Sequence, residues 1–150
     1  MNSPVGTWTR HAAARIDRDR CARLLLRLTV AGLISAHGWA RWLAGAVPPF
    51  GTFLEAQGLP FGGALAAAIT AIEIVGALAL AAGRAVRPLC VVYAAIYAVG
   101  IALVHAKAGW FVVGLGRNGA EFSVLLIASL LAIALQHPRR STPTAASTPR

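Results

Sequence analysis

Apolar residues gather along this chain into four long runs, separated by short stretches rich in polar or breaker residues. The runs extend roughly from Ala22 to Ala46, Phe61 to Gly83, Pro88 to Ala106 and Gly119 to Gln136. Each has about the length of one bilayer span, which takes ~20 residues at ~1.5 Å of rise across ~30 Å of hydrocarbon. Pro48-Pro49, Gly58 and Pro60 mark the first separator, Gly83 to Pro88 the second, and the glycine-rich Gly109 to Gly119 the third. The runs are rich in alanine and leucine and lack the short alternation of barrel strands, so the pattern predicts helices. The expected fold is all-α, an integral membrane four-helix bundle over residues 22–136 with spans at about 22–46, 61–83, 88–106 and 119–136.

Composition supports this picture. The chain has 150 residues, of which 57% are hydrophobic and only 13% charged, too little charge for a soluble domain of this size. The net charge of +9 raises nucleic-acid binding, but the positions of the basic residues argue against it. Arg10, Arg15, Arg18, Arg20, Arg23 and Arg27 precede or open the first run, Arg84 and Arg87 lie in the second separator, and Arg139, Arg140 and Arg150 follow the last run. The first separator has no Lys or Arg, and the third has only Lys107 and Arg117. This is the positive-inside distribution, which predicts that both termini and the middle loop are cytoplasmic. The location implied is a membrane crossed several times. The arginines then act as topology determinants that also face anionic lipid, and no nucleic-acid partner is expected.

Ala44-Gly45-Ala46 has the small residues of a signal cleavage site, but His37, Trp39, Arg41 and Trp42 before it do not suit a signal sequence. Residues 1–21 read as a basic cytoplasmic tail with a short amphipathic piece from Trp8 to Arg20. Residues 137–150, rich in Ser, Thr, Pro and Ala, read as a disordered tail. The two cysteines, Cys21 and Cys90, fall at cytoplasmic ends of spans and form no CxxC pair, which weighs against thiol-disulfide chemistry.

The candidate chemistry lies in the few polar residues within the runs. Glu73 sits near the middle of the second run, where an ionisable group is costly and usually faces a partner, a cavity or a pathway. His37 and Arg41 are four apart on the first helix and share a face. His105 ends the third run and Glu121 opens the fourth. His37, Arg41, Glu73, His105 and Glu121 are therefore candidates for ligand binding or proton handling, with Trp39, Tyr97, Trp110 and Phe111 as candidate aromatic lining. Structural alternatives stand beside these roles. A helical histidine bonds a backbone carbonyl, an arginine snorkels to headgroups, Trp and Phe form an interfacial belt, and Asn118-x-x-Glu121 resembles a capping box. Glu73 paired with His37 or Arg41 would hold helices together without doing chemistry.

Gly114-Leu115-Gly116-Arg117-Asn118-Gly119 spells GxGxxG but lacks the βαβ setting and the later acid of a dinucleotide site. These glycines instead suit a tightly turned loop. No spacing of His, Cys, Asp or Glu predicts a metal site or a catalytic residue.

Taken in order, His37-Gly38, Glu73 with Gly76-Ala77-Leu78 and Gly83, Arg87, His105 through Gly109-Trp110-Phe111, and Asn118-Gly119-x-Glu121-Phe122 resemble the DoxX family of small bacterial membrane proteins. The likeness covers about residues 22–136. Arg41 stands where many members have Lys, which keeps the charge but changes its geometry. The resemblance implies four transmembrane helices, a bacterial cytoplasmic (inner) membrane as the one crossed, and a link to redox biology. Some relatives are associated with thiosulfate:quinone oxidoreductase, others with membrane oxidoreductase assemblies that handle thiol and oxidative stress.

Three function classes fit these observations. One is a membrane subunit of a redox complex that engages quinone or quinol, with no intrinsic cofactor and a cofactor-bearing redox partner protein. Another is a scaffold or assembly factor, in which small-xxx-small pairs such as Ala31/Ser35, Gly32/Ala36 and Ala64/Ala68 pack helices within one chain or between copies of a homo-oligomer. The remaining class is a small proton-coupled transporter that uses Glu73. Catalysis by the isolated chain is not expected.

Overall fold

The computed structural model describes residues 4–113 and 118–137, with side chains described from residue 18 onward. The expected C-terminal tail from residue 138, the side chains of the Trp8 to Arg20 piece before residue 18, and Gly114 to Arg117 of the GxGxxG loop lie outside the described residues. All elements among the described residues are helices: α1 (Pro4–Leu43), α2 (Val47–Ala56), α3 (Gly62–Ala81), α4 (Val86–Ala108) and α5 (Glu121–Gln136). The all-α expectation holds, and the apolar runs account for most of the helix length.

Two differences have clear physical causes. α1 runs without interruption from Pro4 through residue 21 into the first apolar run, with no boundary at the polar-to-apolar transition. A change of hydropathy alters a helix's surroundings but breaks no backbone hydrogen bond. α2 forms where the first separator was expected to be a turn. Pro48 and Pro49 lie in its first turn, where a missing N–H costs nothing and a fixed φ favours helix.

α3 and α4 are both long and apolar enough to cross a membrane, while the apolar α5 has 16 residues. α1 packs against α3 and α5, α4 lies along α5, and α2 folds onto α3. The shared core is built at helical spacing: Val30 and Ile34 from α1, Ala77 and Leu80 from α3, Cys90 and Tyr93 from α4, and Leu126, Leu130 and Ile133 from α5. The outward faces are also apolar. Val75 is 67%, Leu78 63%, Val91 63% and Leu125 62% exposed. Helices apolar on every side belong in lipid or deep inside a larger assembly.

Candidate functional site

The buried ionisable group of α3 is Glu73, with only 3% of its surface exposed. It lies in a single π-helical turn, Ile72–Gly76, within α3. Such a turn misaligns the carbonyl ladder and is frequent at functional sites. Here Tyr93 of α4 donates its hydroxyl to the Ile72 carbonyl at 2.6 Å, so the disturbed backbone is satisfied from a neighbouring helix. Arg41 of α1 reaches the carboxylate, its Nη1 lying 2.5 Å from Glu73 Oε2. The same nitrogen donates to Thr70 Oγ1 at 3.2 Å, and Thr70 in turn donates to the Ala66 carbonyl at 2.7 Å. The Arg41 guanidinium also lies 4.5 Å from the centre of the Phe50 ring, a cation–π contact supplied by α2.

Gly38 makes this meeting of helices possible. A Cβ there would lie 2.9 Å from both Glu73 Cβ and Ile74 Cγ1, closer than real side chains approach. The His37-Gly38 pair therefore places one cavity-lining side chain and opens the backbone approach that brings α1 to Glu73.

Above the ion pair is a cavity of about 350 Å³, lined by His37, Arg41, Glu73, Tyr97, His105 and Phe122 among others. Both histidines are oriented by backbone carbonyls. His37 Nδ1 lies 2.9 Å from the Leu33 carbonyl and His105 Nδ1 lies 2.7 Å from the Asn118 carbonyl. A carbonyl only accepts, so each Nδ1 carries the proton, and each Nε2 is an acceptor when the ring is neutral. The His37 ring stacks on Phe122 with centroids 6.3 Å apart. The Tyr97 hydroxyl is buried and has no hydrogen-bond partner.

Of the residues singled out from sequence, the structure gathers His37, Arg41, Glu73, His105 and Tyr97 around this cavity. It keeps the others apart. Glu121 accepts from the Val112 N–H at 2.8 Å, which pins the α4–α5 loop to the start of α5. The capping-box geometry is absent: the residue preceding α5 is Ala120, which makes no side-chain cap. Trp39 lies outside the cavity and lines a separate apolar groove with Trp42 and Ile74. Trp110 and Phe111 are exposed, and their carbonyls receive the Glu121 and Gly119 N–H groups as the loop folds back. Sequence reading missed Phe50, Phe122 and Ser123 as lining residues. Phe122 directly follows a residue that was singled out, whereas Phe50 lies in the stretch read as a turn.

A family model described as DoxX matches residues 22–106, more than half of the chain. No curated protein and no solved structure matches it. The chain belongs to the DoxX family, a membrane-associated family, and the match takes in the whole Arg41–Glu73 site and His105.

Proposed function

We propose that this DoxX-family chain is a multi-pass protein of the bacterial cytoplasmic membrane and a membrane subunit of a redox assembly. In this reading α1, α3, α4 and α5 are its four spans, the arginine-rich end faces the cytoplasm, and the cavity over Arg41 and Glu73 takes the head of a quinol or quinone. The supporting observation is one partly open cavity whose lining combines Tyr97, with its unpartnered buried hydroxyl, two imidazoles and an aromatic wall. About 350 Å³ suits a single substituted ring, at the lower end of small-molecule sites.

The hydrogen-bond polarity of the walls favours the reduced form. With each Nδ1 proton committed to a backbone carbonyl, His37 and His105 offer acceptors to a ligand hydroxyl. Tyr97 offers a donor to an oxygen on the other side of the ring. A bound quinol supplies electrons and gives up its hydroxyl protons as it is oxidised. The imidazole Nε2 atoms are positioned to receive those protons, and Glu73, beside them, to accept a proton when Arg41 shifts. The electrons need a cofactor-bearing partner, because no side chain lining the cavity carries them.

A scaffold reading is favoured by one specific observation: the Arg41–Glu73–Thr70 chain is satisfied within the protein. Titration of a quinol analogue into detergent-purified wild type, Glu73→Gln and His37→Ala separates the two readings. Saturable binding that both variants weaken by about tenfold or more supports the ligand site, a loss matching one charge-assisted hydrogen bond. No binding to any of the three, with both variants only less heat-stable, leaves the scaffold.

A further inference from the structure

At the end of the molecule away from that cavity, two half-buried arginines have no carboxylate partner among the described residues. Arg27 of α1 and Arg87 of α4 both meet the C-terminal end of α5. Arg87 Nη2 donates to the His137 carbonyl at 2.6 Å, and Arg27 lines a small cleft with Arg23, Ile133, Gln136 and His137. The Arg27 guanidinium packs against the turn between α3 and α4, where a Cβ on Gly83 would lie 3.1 Å from Nη1. The Nε atoms of Arg27 and Arg87 are both buried and have no hydrogen-bond partner. Among the described residues no carboxylate pairs with either guanidinium. Asp19 lies in an adjoining hollow that it shares with Arg23 and Gln136.

Guanidinium donors are fixed in a planar fork, and their strongest partners are the oxygens of carboxylates and phosphates. Two such forks from different helices, neither paired with a carboxylate among the described residues, favour a small anion with several oxygens beside them. The cleft, at about 40 Å³, has room for one such group and none for a ring or a chain segment. Its surroundings decide the source of the anion. Leu25 is 69% exposed and Leu28 51% exposed on α1 beside the arginines, and Leu135 is 83% exposed at the same end of α5. Apolar surface flanking an anion pocket fits an anion that carries acyl chains.

The geometry points to a site for the phosphate group of an anionic phospholipid in this cleft, held by Arg27 with Arg23 and Gln136, while Arg87 adjoins it and fixes the His137 wall through the carbonyl. It differs from general attraction between basic residues and anionic membranes, because the phosphate sits in a defined cleft between α1 and the end of α5 rather than on an open basic surface. It does not depend on what occupies the cavity over Glu73.

The test uses the full chain, exchanged into detergent from vesicles of equal phosphatidylglycerol and phosphatidylcholine, with retained lipid read by native mass spectrometry. Phosphatidylglycerol is expected to remain in preference to phosphatidylcholine. Arg27→Lys, which keeps the charge but loses the planar fork, reduces that retention about tenfold, as expected for losing a hydrogen bond to a charged group, and Arg87→Lys, which loosens the His137 wall, reduces it less. Arg84→Gln, at an exposed position, leaves retention unchanged. Equal retention of the two lipids overturns the proposal, as does wild-type retention in both lysine variants or equal loss in Arg84→Gln. Displacement of the lipid by millimolar inorganic phosphate overturns the lipid assignment in favour of a free-anion site. Unaltered quinol-analogue titration in Arg27→Lys keeps this result separate from the cavity reading.

Discussion

At one end of the helical core a guanidinium meets a carboxylate; at the other, two guanidinium groups meet none among the described residues. Around Glu73 the protein has arranged compensation at every level. Gly38 lets α1 close in, Arg41 supplies the countercharge, Thr70 and Phe50 hold Arg41, and Tyr93 repairs the π turn. Around Arg27 and Arg87 the only neutralising contact among described residues is the His137 carbonyl on Arg87. A half-buried charge without a countercharge favours an oxygen-rich partner from outside, and this end of the fold presents two of them. The contrast separates internal architecture from binding surface. It also applies on a smaller scale within the cavity end, where Glu73 is paired with Arg41 and the Tyr97 hydroxyl is left over.

The comparison breaks most visibly at the ion pair. Arg41→Ala leaves Glu73 buried without a countercharge and is expected to cost about 3 kcal/mol, read as a lowered midpoint in denaturant or heat unfolding in detergent. The double variant Arg41→Leu/Glu73→Leu removes both charges and recovers most of that loss. If the double variant falls as far as the single one, the pair is more than mutual compensation. Next in size, Gly38→Val drives side-chain atoms into Glu73 and Ile74 and costs about 2 kcal/mol by overpacking, measured in the same assay. Tyr93→Phe removes the donor to the Ile72 carbonyl and costs about 1 kcal/mol. At the other end, Arg27→Met in lipid-free detergent changes stability by less than about 0.5 kcal/mol or raises it, because an unpaired buried donor is removed along with the charge. A loss there as large as that of Arg41→Ala would show that Arg27 is compensated after all and erase the contrast.

Much of this fold was legible in the chain. The apolar runs give the helices because backbone bonding in a long Ala/Leu stretch is local. Glu73 stands out because a carboxylate in such a run needs a reason, and the four-residue spacing of His37 and Arg41 puts both on the cavity side. The same period puts Trp39 on the far face, and the structure places it in the other groove. Other features depend on tertiary contacts that a single sequence does not encode. Glu121 opens α5 as read, but its partner is set by how the α4–α5 loop folds back onto Val112. Phe50 reaches Arg41 only because α2 forms, and Pro48-Pro49 reads equally well as a break or as a helix start. The π turn at Glu73 shows no residue pattern that distinguishes it from ordinary helix. The arginine end was readable as topology, while its unpaired donors became visible only with the helices assembled.

The central claim is that the cavity over Glu73 binds a ligand that uses the spare hydroxyl of Tyr97. The most direct measurement is the affinity of detergent-purified wild type and Tyr97→Phe for a quinol analogue, with unfolding midpoints recorded in parallel. Because that hydroxyl has no partner within the chain, the substitution is predicted to leave the midpoint unchanged or slightly raised while weakening binding about tenfold. Equal affinity in the two proteins, or a lowered midpoint with no saturable binding in either, would contradict the claim.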